Sequence, residues 1–498
     1  MRKNLVPVAA LLLGTLFLFL GNGLHGLLLP IRGTSEGYSA TLLGFLGTSW
    51  ATGFVAGCLT APAIVRRAGH VRAFSIFAAV LAIIALLTGI LVDPIWWVVL
   101  RAATGFSTAG TSMIIESWLN ERATNESRGA IFSLYIAITL LGVVGGQLLI
   151  PFGDTNSALF FMICGIVYCL AMLPTLMSTA ASPAPLKQVR LDLGGLYRNS
   201  PVSFLGILLI GIANGAYGTL AAVFGRQAGL SDADVAFMVS AVIFAGAIMQ
   251  FPAGRLSDRM DRRYVLAGLS MVAAIAGLLI FVIEPAHVVA LVTLVAIYGA
   301  TANALYPIAA SHANDFAAPE DFVKVSGGLL LLYGIGTIIG PTIGGPIMTA
   351  MGPYSLFMIT ACAHVLIAAY AMIRSRMRAP IPVDRRDSFA ATNAGLMSTP
   401  ESLKMSPRAA SAPEEAAPPA ETVQAATPAA ADRPAAPQAG TDTAAAGADE
   451  KPELLPSARA LADDGSVNDP GHESGGQDTP DGHGPATGES SPLSREEK

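Results

Sequence analysis

Eight side chains carry chemistry into stretches of this sequence that are otherwise apolar: Asn22, His25, Arg101, Glu116, Asn214, Tyr217, Asn303 and Tyr306. A guanidinium stays protonated, so Arg101 must find an anion, a carbonyl, water, or the headgroup layer that a long side chain reaches by snorkelling. Burial moves a carboxyl toward the range where protons exchange. Glu116 is therefore a proton-coupling candidate, the alternative being a solvated or arginine-paired gate residue. His25 is a second one, because imidazole changes charge near neutral pH; its alternative is a satisfied neutral histidine. For Asn22, Asn214 and Asn303, contact with a polar solute competes with hydrogen bonding between helices. His312 and His364 read as packing or interface residues.

These residues have to be held by something, and the composition says what. The chain is 53% hydrophobic and 13% charged over 498 residues, whereas soluble domains carry about 25% charge. The average hides two regimes. Residues 379–498 hold 9 Lys/Arg and 20 Asp/Glu among Ala, Pro, Gly, Ser and Thr, a net charge near −11, while residues 1–378 are near +6. So acidic and polar a tail cannot bury enough apolar surface to offset its ordering entropy, and it is expected to be disordered. Cys58, Cys164, Cys169 and Cys362 all lie in apolar runs, as small packing residues.

Twelve apolar runs of about 20 residues, the length that crosses a bilayer core, lie between residues 6 and 374. Helix is the reading for each, because a lipid-exposed backbone must satisfy its own hydrogen bonds. With a cytoplasmic N-terminus, eighteen Lys and Arg fall in inner connections and only Arg32 and Arg226 in outer ones. That asymmetry places both termini in the cytoplasm, and the bacterial inner membrane is the expected location.

The chain also repeats itself. Asn22-Gly23-Leu24-His25-Gly26 returns as Asn214-Gly215-Ala216-Tyr217-Gly218 at an offset of 192, which also aligns Gly37 with Gly229 and Ser39 with Ser231. At an offset of 194, Gly105 meets Gly299, Asn120 meets Asn314, and Gly142 and Gly146 meet Gly336 and Gly340. Six spans repeated once fit two bundles with a substrate site between them. The expected organisation is a six-helix bundle over 1–177, a cytoplasmic linker over 178–200 whose segment Leu186–Leu193 could lie along the membrane surface, a second bundle over 201–378 and the tail over 379–498.

The loop Gly254-Arg255-Leu256-Ser257-Asp258-Arg259-Met260-Asp261-Arg262-Arg263 resembles the signature loop of the major facilitator superfamily, with Asp261 in place of a glycine. Its first-half counterpart, Arg66-Arg67-Ala68-Gly69-His70, keeps the glycine but has Arg66 where the pattern has Asp. Arg101-Ala102-Ala103-Thr104-Gly105 resembles the fourth-span element of the same superfamily, and Glu116-Ser117-Trp118-Leu119-Asn120 is similar to a bacterial branch with unassigned substrates. The eleventh span's Gly336-x-x-x-Gly340-Pro341-x-x-Gly344-Gly345 resembles an antiporter element found in fifth spans; the fifth span here has Gln147 instead of that proline.

The resemblance implies an all-α membrane protein of twelve transmembrane helices in two pseudo-symmetric bundles. It implies a central cavity lined by the first, fourth, seventh and tenth spans, making Asn22, His25, Arg101, Asn214, Tyr217, Asn303 and Tyr306 the substrate-cavity candidates. It also sets each signature loop against the opposite half. Asp258 would then meet Arg128, and Arg66 and Arg67 would meet Glu320 and Asp321, an inner gate with one side reversed in sign, in which Arg259 and Arg262 also take part. The bland alternative is that these arginines only obey the charge asymmetry of the membrane.

The expected function is secondary transport of a small organic solute by alternating access, with protons as the candidate coupling ion; the alternative is a transporter-like receptor signalling through its tail to a partner not identified. No phosphate-binding loop, zinc motif or nucleophile turn is present, so no enzyme activity, cofactor, metal or nucleic-acid partner is expected.

Overall fold

The computed structural model describes residues 2–124, 127–176, 192–318 and 321–379, together with Ile381, Pro382, Arg386, Phe389, Thr399 and Glu401; for residues 2–8 and Val323 it describes the backbone only. Residues 178–191 of the expected linker, and all but seven residues of the expected disordered tail, lie outside the described residues.

Among the described residues the chain is all helical. The first half comprises α1 (Arg2–Ser35), α2 (Ala40–Ala68), α3 (His70–Ile90), α4 (Pro94–Arg122), α5 (Arg128–Gln147) and α6 (Leu159–Leu176). A short α7 (Leu193–Asn199) leads to the second half: α8 (Pro201–Gln227), α9 (Asp232–Arg259), α10 (Arg262–Ile283), α11 (Val288–Asp315), α12 (Phe322–Met351) and α13 (Ser355–Met377). All but α7 are long and apolar enough to cross a membrane. The helices overrun the apolar stretches that announce them, because hydropathy marks the lipid-crossing section while backbone hydrogen bonding continues into the interface.

Local chemistry explains the ends. The Ser39 and Ser231 hydroxyls accept from Leu42 N at 3.3 Å and Asp234 N at 3.1 Å, so the serines aligned by the repeat are equivalent N-caps of α2 and α9. The signature loops differ in backbone. Gly69 turns α2 into α3 at φ 81°, a conformation that favours glycine. Asp261 sits at φ −60°, and its carboxylate caps α10 through Arg263 N at 3.0 Å. The glycine is dispensable there because the turn is closed by a side chain.

Packing follows the repeat. In the first half α1 packs on α5 and α6, α2 on α4, and α3 on α4 and α6; in the second, α8 packs on α12 and α13, α9 on α11, and α10 on α11 and α13. The glycine pairs show how closely the two agree. A Cβ at Gly142 or Gly146 would strike the carbonyls of Leu16 and Leu20, and one at Gly336 or Gly340 those of Leu208 and Ile212. Each contact maps onto the other at the offsets read from the sequence.

The halves meet most closely at the end opposite Arg66 and Arg67. Thr41 and Thr349 hydroxyls lie 2.8 Å apart, as do Thr48 and Thr342, joining α2 to α12. On the other flank, Ser240 on α9 donates to Gln147 Oε1 at 2.9 Å, and Thr155 to Asp232 at 2.6 Å. Backbone contact seals the seam, since a Cβ at Gly44 or Gly345 would press on the carbonyl of Pro341 or Ala40.

Candidate functional site

Behind that seam the two halves share a cavity of about 230 Å³. Its wall takes Asn22 and His25 from α1, Trp50 from α2, Arg101 from α4, Gln147 from α5, Tyr168 from α6, Asn214 from α8 and Tyr333 from α12. Tyr168 OH donates to Asn22 Oδ1 at 2.9 Å, tying α6 to α1 beside the cavity. His25 is 1% exposed; it stands edge-on to Phe161, centroids 6.2 Å apart, and neither ring nitrogen has a hydrogen-bond partner among the described residues. Arg101 lies within electrostatic reach of His25 and Tyr168. Its Nε is buried with no partner among the described residues.

The charge around this space is one-sided. No aspartate or glutamate lines it, and Arg101 is its one permanently charged group among the described residues. Arg101 is turned into the protein instead of snorkelling outward.

Four of the seven sequence-derived cavity residues thus come together: Asn22, His25, Arg101 and Asn214. The other three lie outside this lining. Tyr217 belongs to an aromatic cluster, 5.4 Å from Tyr298 and 6.2 Å from Phe357. Asn303 donates to Val242 O at 3.4 Å, bridging α11 to α9, and Tyr306 packs edge-on to Tyr333 at 5.2 Å. α11 contributes no residue to the lining. Residues three apart on a helix differ by about 60° in direction, enough for one to face the cavity while the other faces a neighbouring helix. Trp50, Gln147, Tyr168 and Tyr333 were not singled out as cavity residues. Inside apolar runs aromatics read as packing, and only the polar ends of Gln147, Tyr168 and Tyr333 could have signalled otherwise.

Glu116 lies elsewhere. It is fully buried and accepts from Tyr135 OH at 2.8 Å and from the Thr399 hydroxyl. It stands fifteen residues from Arg101 on α4, about 22 Å along the axis.

At the basic end the gate candidates are engaged locally. Arg262, 1% exposed, holds Asp315 through Nε at 2.6 Å and Nη2 at 3.2 Å and reaches Asp258 at 3.5 Å. Asp258 also accepts from Phe389 N at 2.9 Å. Arg263 pairs with Asp261 at 2.6 Å and donates to the carbonyls of Arg374 and Arg378, and Asp321 pairs with Lys324 at 2.8 Å. Arg66, Arg67 and Arg259 are exposed, and Arg128 Nε is buried without a partner among the described residues. Glu320 lies outside the described residues.

Two helical bundles with repeated contacts are the fold that the transporter resemblance implies, and the comparisons with known proteins agree with that fold. Residues 202–412 match the family model of the Major Facilitator Superfamily. An uncharacterised MFS-type transporter of Enterobacter sp. (strain 638) is 27% identical over 380 residues, 76% of this chain and 98% of that protein. The family model thus covers the second half of this chain, and the relative that spans nearly its whole membrane part carries the same family name. A second relative, the uncharacterised MFS-type transporter YcaD of Escherichia coli, is 25% identical over the same shares. In fold, the chain is similar to the nucleoside transporter NupG, with a TM-score of 0.61 at 16% identity over 74% of this chain and 98% of that one. It is also similar to a bacterial homolog of the human lysosomal transporter Spinster in an inward-facing, occupied conformation. There the TM-score is 0.64 at 17% identity, over 78% of this chain and 99% of that one. The protein is a multi-pass membrane transporter.

Proposed function

We propose that this chain is a secondary transporter that carries a small organic solute across the bacterial inner membrane by alternating access. The observation that carries the reading is the cavity of about 230 Å³ shared by both halves behind a seam closed at one end by small-residue contacts and a few side-chain hydrogen bonds. Weak polar contacts between two rigid bundles suit a gate, because two conformations within a few kcal/mol can be interconverted by a ligand. Eighteen basic residues on one side support a cytoplasmic placement of that end and of both termini, which makes the described state inward-facing.

On this reading the reversed pairs, Asp258 with Arg128 and Arg66 and Arg67 with Glu320 and Asp321, form when the basic end closes. Protons are the coupling ion. His25, in the cavity wall, is better placed than Glu116 to exchange a proton with solute occupancy.

The test is flux. Purified protein in proteoliposomes is expected to take up or release members of a mixed panel of anionic, neutral and cationic solutes, faster under an imposed pH gradient. Saturable binding without flux would identify a receptor instead, and flux indifferent to the gradient would remove the proton.

A further inference from the structure

We propose that the solute is a small organic monocarboxylate and that Arg101 is the residue that binds its charge. This rests on the transport reading and names the substrate class of the same cavity. A guanidinium keeps its proton under any physiological condition, and Arg101, half-buried in the cavity wall, presents that charge to whatever occupies the cavity. Among the described residues no carboxylate lines the cavity to pair with it, and Arg101 Nε is without a partner. Glu116, the acid on the same helix, is already held by Tyr135 and Thr399 about four turns away.

The repeat argues against a purely architectural arginine. At the offset of 194, Arg101 corresponds to Val295, fully buried, and Gly105 to Gly299. Gly105 packs on Trp50 and Gly299 on Val242, residues aligned at the offset of 192. The same α-helical crossing is therefore built twice, once with the cation and once with an aliphatic side chain. Packing at that crossing does not require a guanidinium, whereas binding an anion does.

The rest of the wall describes the rest of the solute. One fixed positive charge matches one negative charge. A planar guanidinium offers paired donors that fit a carboxylate. His25 presents two unpartnered ring nitrogens, at 1% exposure, on the same wall, and the amides of Asn22, Gln147 and Asn214 can serve hydroxyl or amide substituents. The indole of Trp50 offers an apolar face. About 230 Å³ falls below the roughly 300–1,000 Å³ of pockets for drug-sized ligands, which sets the size.

The experiment pairs acids with their own amides: benzoate with benzamide, nicotinate with nicotinamide, and lactate with lactamide, extended to a panel of 96 such monocarboxylate pairs. Thermal unfolding of the full-length protein in detergent reads binding, and counterflow in proteoliposomes reads transport. At least one acid is expected to stabilise the protein where its amide does not. Arg101→Gln should weaken that acid by roughly 10- to 100-fold, as expected for losing a charge-assisted hydrogen bond, and Arg101→Lys by less, since it keeps the charge and loses the fork. Asn22→Asp sets a fixed anion in the cavity wall. It should lose the acid preference too, and serves if the Arg101 variants do not fold.

If no acid outperforms its amide, or if Arg101→Gln or Asn22→Asp leaves the preference unchanged, the inference is wrong. Acids that bind yet never cross would sink the transport reading and spare this one. Flux confined to neutral or cationic solutes would do the reverse.

Discussion

The two halves of this transporter share a backbone plan and differ in the polar groups placed on it. Gly142 and Gly146 bring α5 onto α1 as Gly336 and Gly340 bring α12 onto α8, against equivalent carbonyls. Yet Arg101, Trp50 and Gln147 of the cavity wall correspond to Val295, Val242 and Pro341. Likewise the buried Glu116 and Tyr135 pair corresponds to Ala310 and Leu329. The second half instead concentrates its charge at the basic end. There Arg262 and Asp315 form a buried ion pair whose first-half equivalents are His70, beside Trp118 at 6.0 Å, and the exposed Glu121. Duplication fixes the close contacts, which either half needs to fold, and leaves side chains facing a cavity or gate free to specialise. The first half contributes the cavity's charged group, and the second contributes Asn214 and Tyr333 to the same wall and carries the buried ion pair.

The sharpest way to break that comparison is at the latch. Asp315→Asn takes from the buried Arg262 the carboxylate that it holds through Nε and Nη2, leaving only the longer contact with Asp258, and should cost about 3–5 kcal/mol, read as a loss of folded protein or a large fall in unfolding temperature. Glu121→Gln at the equivalent position should stay within about 0.5 kcal/mol. Equal effects would mean the halves are latched alike. Next in size, Tyr135→Phe removes a donor from the buried Glu116 carboxyl and should cost about 1.5–3 kcal/mol if that group is charged; a change at Leu329, for example Leu329→Met, should cost under about 1.5 kcal/mol.

The glycine contacts should behave identically. Gly146→Ala and Gly340→Ala each force a Cβ onto a helix carbonyl and should destabilise by about 1–3 kcal/mol. A sensitive first half with a tolerant second would show that the equivalence of the contacts is not energetic.

The smallest effect is in the signature loops. Burial alone would raise the Asp261 carboxyl, but hydrogen bonds and charge from Arg263 lower it further than burial raises it, so its folded value lies below the usual 3.8. Its stabilisation is therefore complete above the unfolded value and is lost as pH falls through the folded one. Unfolding temperature should drop more steeply below about pH 4 in the native protein than in Asp261→Asn. Gly69, at the equivalent place, has nothing to titrate, and identical acid profiles would deny Asp261 any role beyond capping.

What the sequence made legible follows the same division. Gly142, Gly146, Gly336 and Gly340, and the caps Ser39 and Ser231, could be read because a repeat preserves the residues that its contacts require. Asn22, His25, Arg101 and Asn214 could be read because polar groups in lipid are costly and must face something polar. Asn303 met the same rule through a neighbouring helix, whereas Tyr217 and Tyr306 turn into aromatic contacts, the Tyr217 hydroxyl without a partner among the described residues, a distinction of about 60° that a one-dimensional pattern does not carry. Phe389, the tail's one aromatic, gave no sign in the sequence that it would lie against Gly254 and Asp258. Composition describes a segment as a whole and is silent on a single anchor.

Alternating access itself is tested most directly by two distances measured together. Spin labels at the exposed ends Ser35 and Met351 straddle the closed seam, and labels at Arg67 and Lys324 straddle the basic end. Adding a transported solute to the protein in lipid is expected to lengthen the first distance in part of the population as the second shortens in the same fraction. Two distances that stay fixed, or that lengthen together, would contradict a carrier that exposes one cavity to each side in turn.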